Sequence, residues 1–329
     1  MKKGKTTVMT TRKHTDRVLS IDIMRGFALL GIFFVNVPFM NVMTLGLHEG
    51  INPYIRLFYD IFIEAKFYVI FSLLFGASAY YFMRSQERKG LAYRKLFWIR
   101  AGWLYVFGML HYHFIWQGDI LHDYALVGFV LPFFYKVSPR KILVCAGIML
   151  VLSFYINQFP VNLEYLSIAL FGLGIAKLNF FGEFSRYKNT MKKIAMIAFL
   201  LSLPIIMIMI KDFINDTYFT SQIYIWLSGK LLAIVYITLI LCACESEHIR
   251  KKLSPLAAYG KMAFTNYLMQ SIVTILIVSP LMPGMTLVTQ SLYCIVFLTI
   301  QVYVSTIIMK KFKYGPFEFV WRKLVFGMK

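Results

Sequence analysis

Apolar residues along this chain come in long runs rather than in the strict alternation of a half-buried strand, and each run ends in a short polar or basic interval. A stretch of about 20 mainly apolar residues is what a helix needs to cross the hydrocarbon of a bilayer, where the backbone must satisfy its own hydrogen bonds. The pattern predicts an all-α, polytopic membrane protein with about ten transmembrane helices. The first five lie near 20–42, 56–83, 96–116, 119–136 and 141–157, and the second five near 163–179, 192–211, 221–244, 256–279 and 286–309. A basic N-terminal tail (1–19) precedes this single membrane domain (20–309), and a basic segment (310–329) follows it. In that last segment Glu318 and Arg322 stand four apart among Phe317, Val320, Trp321 and Leu324, the pattern of a short helix lying in the inner interface. No internal repeat and no soluble linker is visible.

Charge gives the runs a direction. Of the 35 Lys and Arg residues, 29 fall in the intervals 1–19, 84–95, 136–141, 177–193, 245–261 and 310–329, which alternate with intervals whose only Lys and Arg are Arg56 and Lys211. Under the positive-inside rule both termini are then cytoplasmic and the number of spans is even. The lipid bilayer is the first partner expected. A net charge of +20 also invites a nucleic-acid reading, but a nucleic-acid reader gathers its cations on one soluble face, whereas here apolar runs separate them. The composition agrees with lipid as solvent: 59% hydrophobic, 17% aromatic, 15% charged, with a mean hydropathy of +0.66. The basic start resembles the first part of a signal peptide, but the apolar run after it is long and lacks a small-residue cleavage site, so it reads as an uncleaved first span.

Ionisable and amide groups at membrane depth are costly and mark candidate sites. In the first span Asp22 and Arg25 are three apart and can pair, and Arg25 and Asn36 are eleven apart, within roughly 20° of one helical face. Arg100 and His111 repeat the eleven-residue spacing in the third span. If those faces meet, a polar track crosses the membrane; otherwise the arginines snorkel to the inner interface and His111 is a core histidine. The stretch HYHFIWQGDILHDYAL supplies His111, His113, His122, Asp119 and Asp123. Its spacing lacks a zinc motif, so no metal is expected and a His–carboxylate pair, Asp119 orienting His111 as a general base, is the better use of it. Lys66 and Lys230 lie inside spans without an evident partner. Asn266 and Gln270 share a face four apart, suited either to lining a site or to holding helices together. Cys145, Cys242, Cys244 and Cys294 fall in apolar runs without redox or zinc spacing. Neither a phosphate-cradling GxxxxGK[ST] loop nor a GxSxG elbow is present.

Five segments, SIDIMRGFALLGIFFVN, KFYVIFSLLFGAS, GMLHYHFIWQGDILHDYALVG, GKMAFTNYLMQS and YGPFEFVWRKL, together resemble the YeiB family of bacterial membrane proteins, in order over nearly the whole chain. The C-terminal half of that family is catalogued as a domain of unknown function. The resemblance places the family's motif residues on Asp22, Arg25, Gly26, Asn36, Lys66, His111, Asp119, Tyr124, Asn266, Gln270, Pro316, Glu318 and Arg322; a histidine at His113 departs from the pattern. It groups the chain with transmembrane acyltransferases, relatives of the lysosomal enzyme that acetylates heparan glucosamine and of bacterial sugar O-acyltransferases. It implies acyl transfer from a cytoplasmic thioester, acyl-CoA, to an extracytoplasmic glycan, lipid or small-molecule acceptor, with no tightly bound cofactor. On that view His111 and Asp119 are catalytic. Asp22, Arg25, Asn36, Lys66, Arg100, Asn266 and Gln270 then bind substrate, the arginines attracting donor phosphates and Lys66 or the amides steadying an oxyanion. The rival expectations are a transporter or exporter of a small polar solute, and a non-catalytic accessory protein.

Overall fold

The computed structural model describes residues 2–40, 43–156, 162–215 and 222–327, with side chains from residue 19 onward. In chain order it runs α1 (Lys2–Asn36), a 3₁₀ turn (Val37–Phe39), β1 (Met43–Thr44), α2 (Asn52–Phe62), α3 (Phe67–Arg88), α4 (Tyr93–Phe114), α5 (Leu121–Phe134), α6 (Pro139–Tyr155) and α7 (Leu163–Lys177). It continues through α8 (Phe184–Ile214), α9 (Gln222–Glu245), α10 (Glu247–Lys252), α11 (Ser254–Lys261), α12 (Ala263–Val273), a π turn (Thr274–Val278), α13 (Ser279–Leu281), β2 (Gly284–Met285), α14 (Leu287–Lys311) and α15 (Pro316–Phe326). Among the described residues the protein is helical apart from loops and one parallel pair of two-residue strands, Met43 opposite Gly284 and Thr44 opposite Met285.

Among the described residues six helical stretches are long and apolar enough to cross a membrane: Leu19–Phe39, Asn52–Arg88, Phe184–Ile214, Gln222–Glu245, Ala263–Leu281 and Leu287–Lys311. They coincide with six of the runs expected from sequence and mark the chain as a membrane protein. The other four expected spans are present as helices of another character. α5, α6 and α7 have 14, 17 and 15 residues, short of the length that bridges the hydrocarbon by itself. α4 has 22 but carries Arg94, Lys95, Arg100, His111 and His113.

Local chemistry sets the helix ends. Proline occupies the first turn of α2, α6, α11 and α15, where its missing N–H leaves no intrahelical bond unmade. Asn162 Oδ1 accepts from the backbone N–H groups of Glu164 and Tyr165 at the start of α7, and Thr286 caps α14 through the Thr289 N–H. Two boundaries were not foreseen. The expected 56–83 span breaks between α2 and α3, where Ala65 adopts a φ of +64°, and the expected 256–279 span breaks between α11 and α12 at Met262.

The chain forms two compact units, Met1–Ile70 with Phe181–Lys313, and Phe71–Phe180 with Tyr314–Lys329. In the first, α1 meets α11 almost backbone to backbone: a Cβ on Gly26 would lie 2.2 Å from the Leu256 carbonyl oxygen, and one on Gly260 2.0 Å from that of Asp22. α8 packs along α9. In the second unit α4 pairs with α5, α6 with α7, α5 leans on α7, and the terminal helix α15 lies against α4. Tyr124 is fully buried there, its ring stacked on Tyr165 at 5.4 Å and its hydroxyl 2.7 Å from Ser72 Oγ.

Candidate functional site

His111 lies in the last turn of α4 and Asp119 in the short loop before α5, and the local fold turns one onto the other. The Ile115 and Trp116 N–H groups both donate to the His111 carbonyl at 2.9 Å, which closes the helix. The Asp119 N–H then donates to the Trp116 carbonyl at 3.1 Å, reversing the chain. Gly108 lets α5 approach α4, since a Cβ there would fall 2.6 Å from the His122 nitrogen. One carboxylate oxygen of Asp119 accepts the Leu121 N–H at 3.1 Å and the other lies 3.2 Å from His111 Nδ1. The residues are 4% and 2% exposed, so the pair is held out of solvent. A carboxylate facing Nδ1 at 3.2 Å favours the tautomer with its proton on that nitrogen, which would leave the lone pair on Nε2. The arrangement can therefore orient a base and stabilise it once it gains a second proton.

The neighbouring histidines do something else. His113 turns its Nδ1 to the Met109 carbonyl at 3.1 Å on the exposed side of α4, and His122 lies 3.8 Å from Asp123. Among the described residues no group of three or more His, Cys, Asp or Glu could hold a metal ion. Arg100, on the same helix as His111, places its guanidinium carbon 4.1 Å from the ring centre of Trp321 and 5.1 Å from that of Phe82.

The remaining candidates belong to the first unit. Asp22 and Arg25 form the expected pair at 2.9 Å, and Arg25 also reaches the Gly260 carbonyl at 3.5 Å. Asn36 is the half-buried last residue of α1. Lys66, fully buried, has a partner that its sequence position did not reveal. In an unbroken helix the Asp60 carbonyl would accept the Glu64 N–H. At the α2–α3 break that N–H goes instead to the Tyr59 carbonyl at 2.7 Å, and the Lys66 ammonium donates to the Asp60 carbonyl at 2.7 Å. Arg56 holds the carboxylates of Asp60 and Glu64 at 2.8 and 2.6 Å. Lys230 donates to the Tyr68 hydroxyl at 3.1 Å and lies 3.6 Å from the centre of the Trp226 ring.

Asn266 and Gln270 are joined in a buried cluster with Tyr259, Gln301 and Ser305. The Asn266 amide donates to the Tyr259 carbonyl and to Ser305 Oγ, each at 3.0 Å; the Gln270 amide donates to the Tyr259 hydroxyl at 2.8 Å and to Gln301 Oε1 at 3.4 Å. Both donors of each amide are committed inside the bundle, and these contacts tie α12 to α11 and α14. Asn266→Ala is therefore expected to lower stability by about 1–2 kcal/mol, read as a lower melting temperature in detergent, because it leaves Ser305 without its partner and takes from the Tyr259 carbonyl one of the two hydrogen bonds it accepts. Wild-type melting behaviour in that variant would remove the cluster from the stabilising contacts.

Sequence reasoning missed Trp321 as a neighbour of Arg100, and Ser72 and Tyr165 as neighbours of Tyr124. Sequence separations of 221, 52 and 41 residues carry no periodic signal that joins them.

Residues 175–328 match the family model "Protein of unknown function (DUF418)". The chain is 31% identical to an uncharacterised 39.9 kDa protein encoded in an amylase 3′ region of Bacillus acidopullulyticus, over 95% of each chain. It is 26% identical to the uncharacterised protein YxaH of Bacillus subtilis over 94% of each, and 30% identical to the uncharacterised protein YeiB of Escherichia coli over 42% of this chain and 36% of that one. With matches of this length to relatives of one kind, the chain belongs to the YeiB family of proteins that carry the DUF418 region.

Proposed function

We propose that this protein is a multispanning acyltransferase of the bacterial cytoplasmic membrane, with about ten spans and both ends in the cytoplasm. It moves an acyl group from a cytoplasmic acyl-CoA to a hydroxyl or amine on the other side. The single observation that carries the reading is the buried contact between His111 Nδ1 and Asp119 at 3.2 Å. Arg100 supports it: it lies eleven residues before His111 on α4, so its backbone is about 16 Å along the helix from that of His111, nearer the basic 84–95 interval. His111 Nε2 takes the proton of the acceptor, whose oxygen or nitrogen attacks the thioester carbonyl. The carbon–sulfur bond then breaks, and the departing thiolate receives the proton from the imidazolium. Asp119 steadies the cation between these steps.

The test is transfer of labelled acetyl from acetyl-CoA to a pool of glycans, lipids and amines by the purified protein in lipid vesicles. Label is expected to appear in an acceptor in step with release of CoA thiol. Background-level transfer across the pool, together with gradient-driven flux of a small polar solute, would replace this reading with that of a transporter. The charged groups of the first unit suit that second reading, since Asp22, Arg25, Asp60 and Lys66 all lie within candidate spans.

A further inference from the structure

The terminal segment YGPFEFVWRKL takes no part in the proposed chemistry, yet it forms a well-bounded helix. Gly315 and Pro316 start α15, Glu318 places a carboxylate in its first turn, and Gly327 leaves it with a φ of +83°. Its two sides have different surroundings. Trp321 and Val325 mark the side toward α4: the indole N–H donates to the Arg100 carbonyl at 3.1 Å, and Val325 is buried. Phe319, Arg322, Lys323 and Phe326 fall within about 60° of a line along the opposite side, and all four are exposed.

That outward side carries two chemistries in one place. Each cation lies against a ring: Lys323 Nζ is 4.8 Å from the ring centre of Phe319, and the Arg322 guanidinium carbon is 4.9 Å from that of Phe326. Among the described residues neither cation has a carboxylate partner. Arg94 and Lys95, exposed in the first turn of α4, add two further positive charges to the helix on which α15 rests. Water does not suit the rings, and hydrocarbon does not suit the cations. The boundary between acyl chains and headgroups suits both, because rings can enter the chains while the charges stay at the depth of the phosphates. A cation held against a ring stays near that depth instead of reaching out into bulk water. Such a side complements a headgroup of net negative charge, and a zwitterionic headgroup offers it less, since its phosphate already has a cation beside it.

We infer that the outward side of α15 is a binding surface for anionic phospholipid, with Phe319 and Phe326 entering the leaflet and Arg322 and Lys323 pairing with headgroup phosphates. The surface is independent of the acyltransferase chemistry, and a lipid bound there touches neither His111 nor Asp119.

The experiment places an indole on that side of the full-length protein through Phe319→Trp, with Phe326→Trp as a second reporter on the same side. The fluorescence each adds over the wild type is read in phosphatidylcholine nanodiscs, into which brominated phosphatidylglycerol or brominated phosphatidylcholine is titrated as quencher. Melting temperature checks the fold of every variant. Phosphatidylglycerol is expected to quench at about a tenfold lower mole fraction than phosphatidylcholine, and Arg322→Gln with Lys323→Gln to remove that difference. Quenching by phosphatidylcholine is expected to remain in that double variant, because the rings still enter the leaflet. Lys192→Gln with Lys193→Gln, on α8, removes the same amount of charge and is expected to leave the preference intact. Equal quenching by the two lipids would overturn the inference, leaving the side in lipid but without selectivity for charge. Quenching by neither lipid would overturn it too, and would show the side to be covered by water, a second copy of the chain or another protein. A preference that survives Arg322→Gln with Lys323→Gln in a folded protein would move the anion to other residues, and the assignment to α15 would fall.

Discussion

Gly76→Val and Gly172→Val are each expected to prevent recovery of a monodisperse folded protein, and the milder Gly76→Ala to lower its stability by about 3 kcal/mol or more. α3 and α7 cross in the second unit with a reciprocal contact. A Cβ on Gly76 would fall 1.7 Å from the Ala169 carbonyl oxygen, and one on Gly172 1.8 Å from that of Leu73. Both obstacles are main-chain atoms, so no side-chain rotation relieves the clash and the helices must move apart. Association of apolar helices in lipid rests on close packing of small residues rather than on expulsion of water, so a gap is not refilled by a hydrophobic gain. Separation would also disturb the Tyr124 hydroxyl's contact with Ser72, one residue before Leu73 on α3. Gly102 provides the control, because nothing lies within 4 Å of a Cβ placed there. Gly102→Ala is expected to melt at the wild-type temperature or slightly above it, given alanine's helix propensity. Size-exclusion profiles after a heating series in detergent read all four variants. A Gly76→Ala protein as stable as the Gly102→Ala protein would show that α3 and α7 are not in backbone contact.

How much of this was legible in the sequence depends on what kind of physics wrote it. Leu287–Lys311 and Gln222–Glu245 announce themselves, because length and apolarity are local and lipid selects on them directly. The Asp22–Arg25 pair was legible for a similar reason: three residues on a helix fix which side chains meet. The break at Ala65 was not, since no glycine or proline marks it. A glycine elsewhere makes room for it: Gly229 on α9, where a Cβ would lie 2.6 Å from that of Ala65. The partner of Lys66 was hidden for a deeper reason. The Asp60 carbonyl becomes available only once the helix has ended, so no pattern of side chains could have named it. At the candidate site the sequence proposed His111 with Asp119, eight residues apart across a turn containing Gly118, and the structure brings them together. It left Arg100 without its aromatic companions, because α15 reaches α4 only through the tertiary fold.

The chemistry proposed for that pair makes a second prediction of large effect. His111→Ala is expected to reduce acyl transfer to background, and Asp119→Asn to reduce it about a hundredfold or more, within the range for loss or misorientation of a general base. The asparagine is the more informative of the two. It keeps the side-chain shape, and with its amide oxygen toward the Leu121 N–H the start of α5 keeps its contact. What changes is the group facing His111 Nδ1. If the amide nitrogen takes that place, the imidazole must accept a hydrogen bond at Nδ1 and carry its proton on Nε2, and the nitrogen needed as base is blocked. If the amide oxygen takes it, the tautomer survives but the Leu121 N–H loses its acceptor and the imidazolium loses its countercharge inside the protein, where water cannot replace it. Both outcomes slow proton transfer without changing how the donor is held, so kcat falls while the Kd for CoA stays at the wild-type value. His111→Ala confounds activity with folding, because it strands the 2%-exposed Asp119 carboxylate beside a void. Paired melting and single-turnover measurements separate the two effects. Transfer by Asp119→Asn within threefold of wild type would reduce Asp119 to a backbone contact at the head of α5, and the base at His111 would then have to work without it.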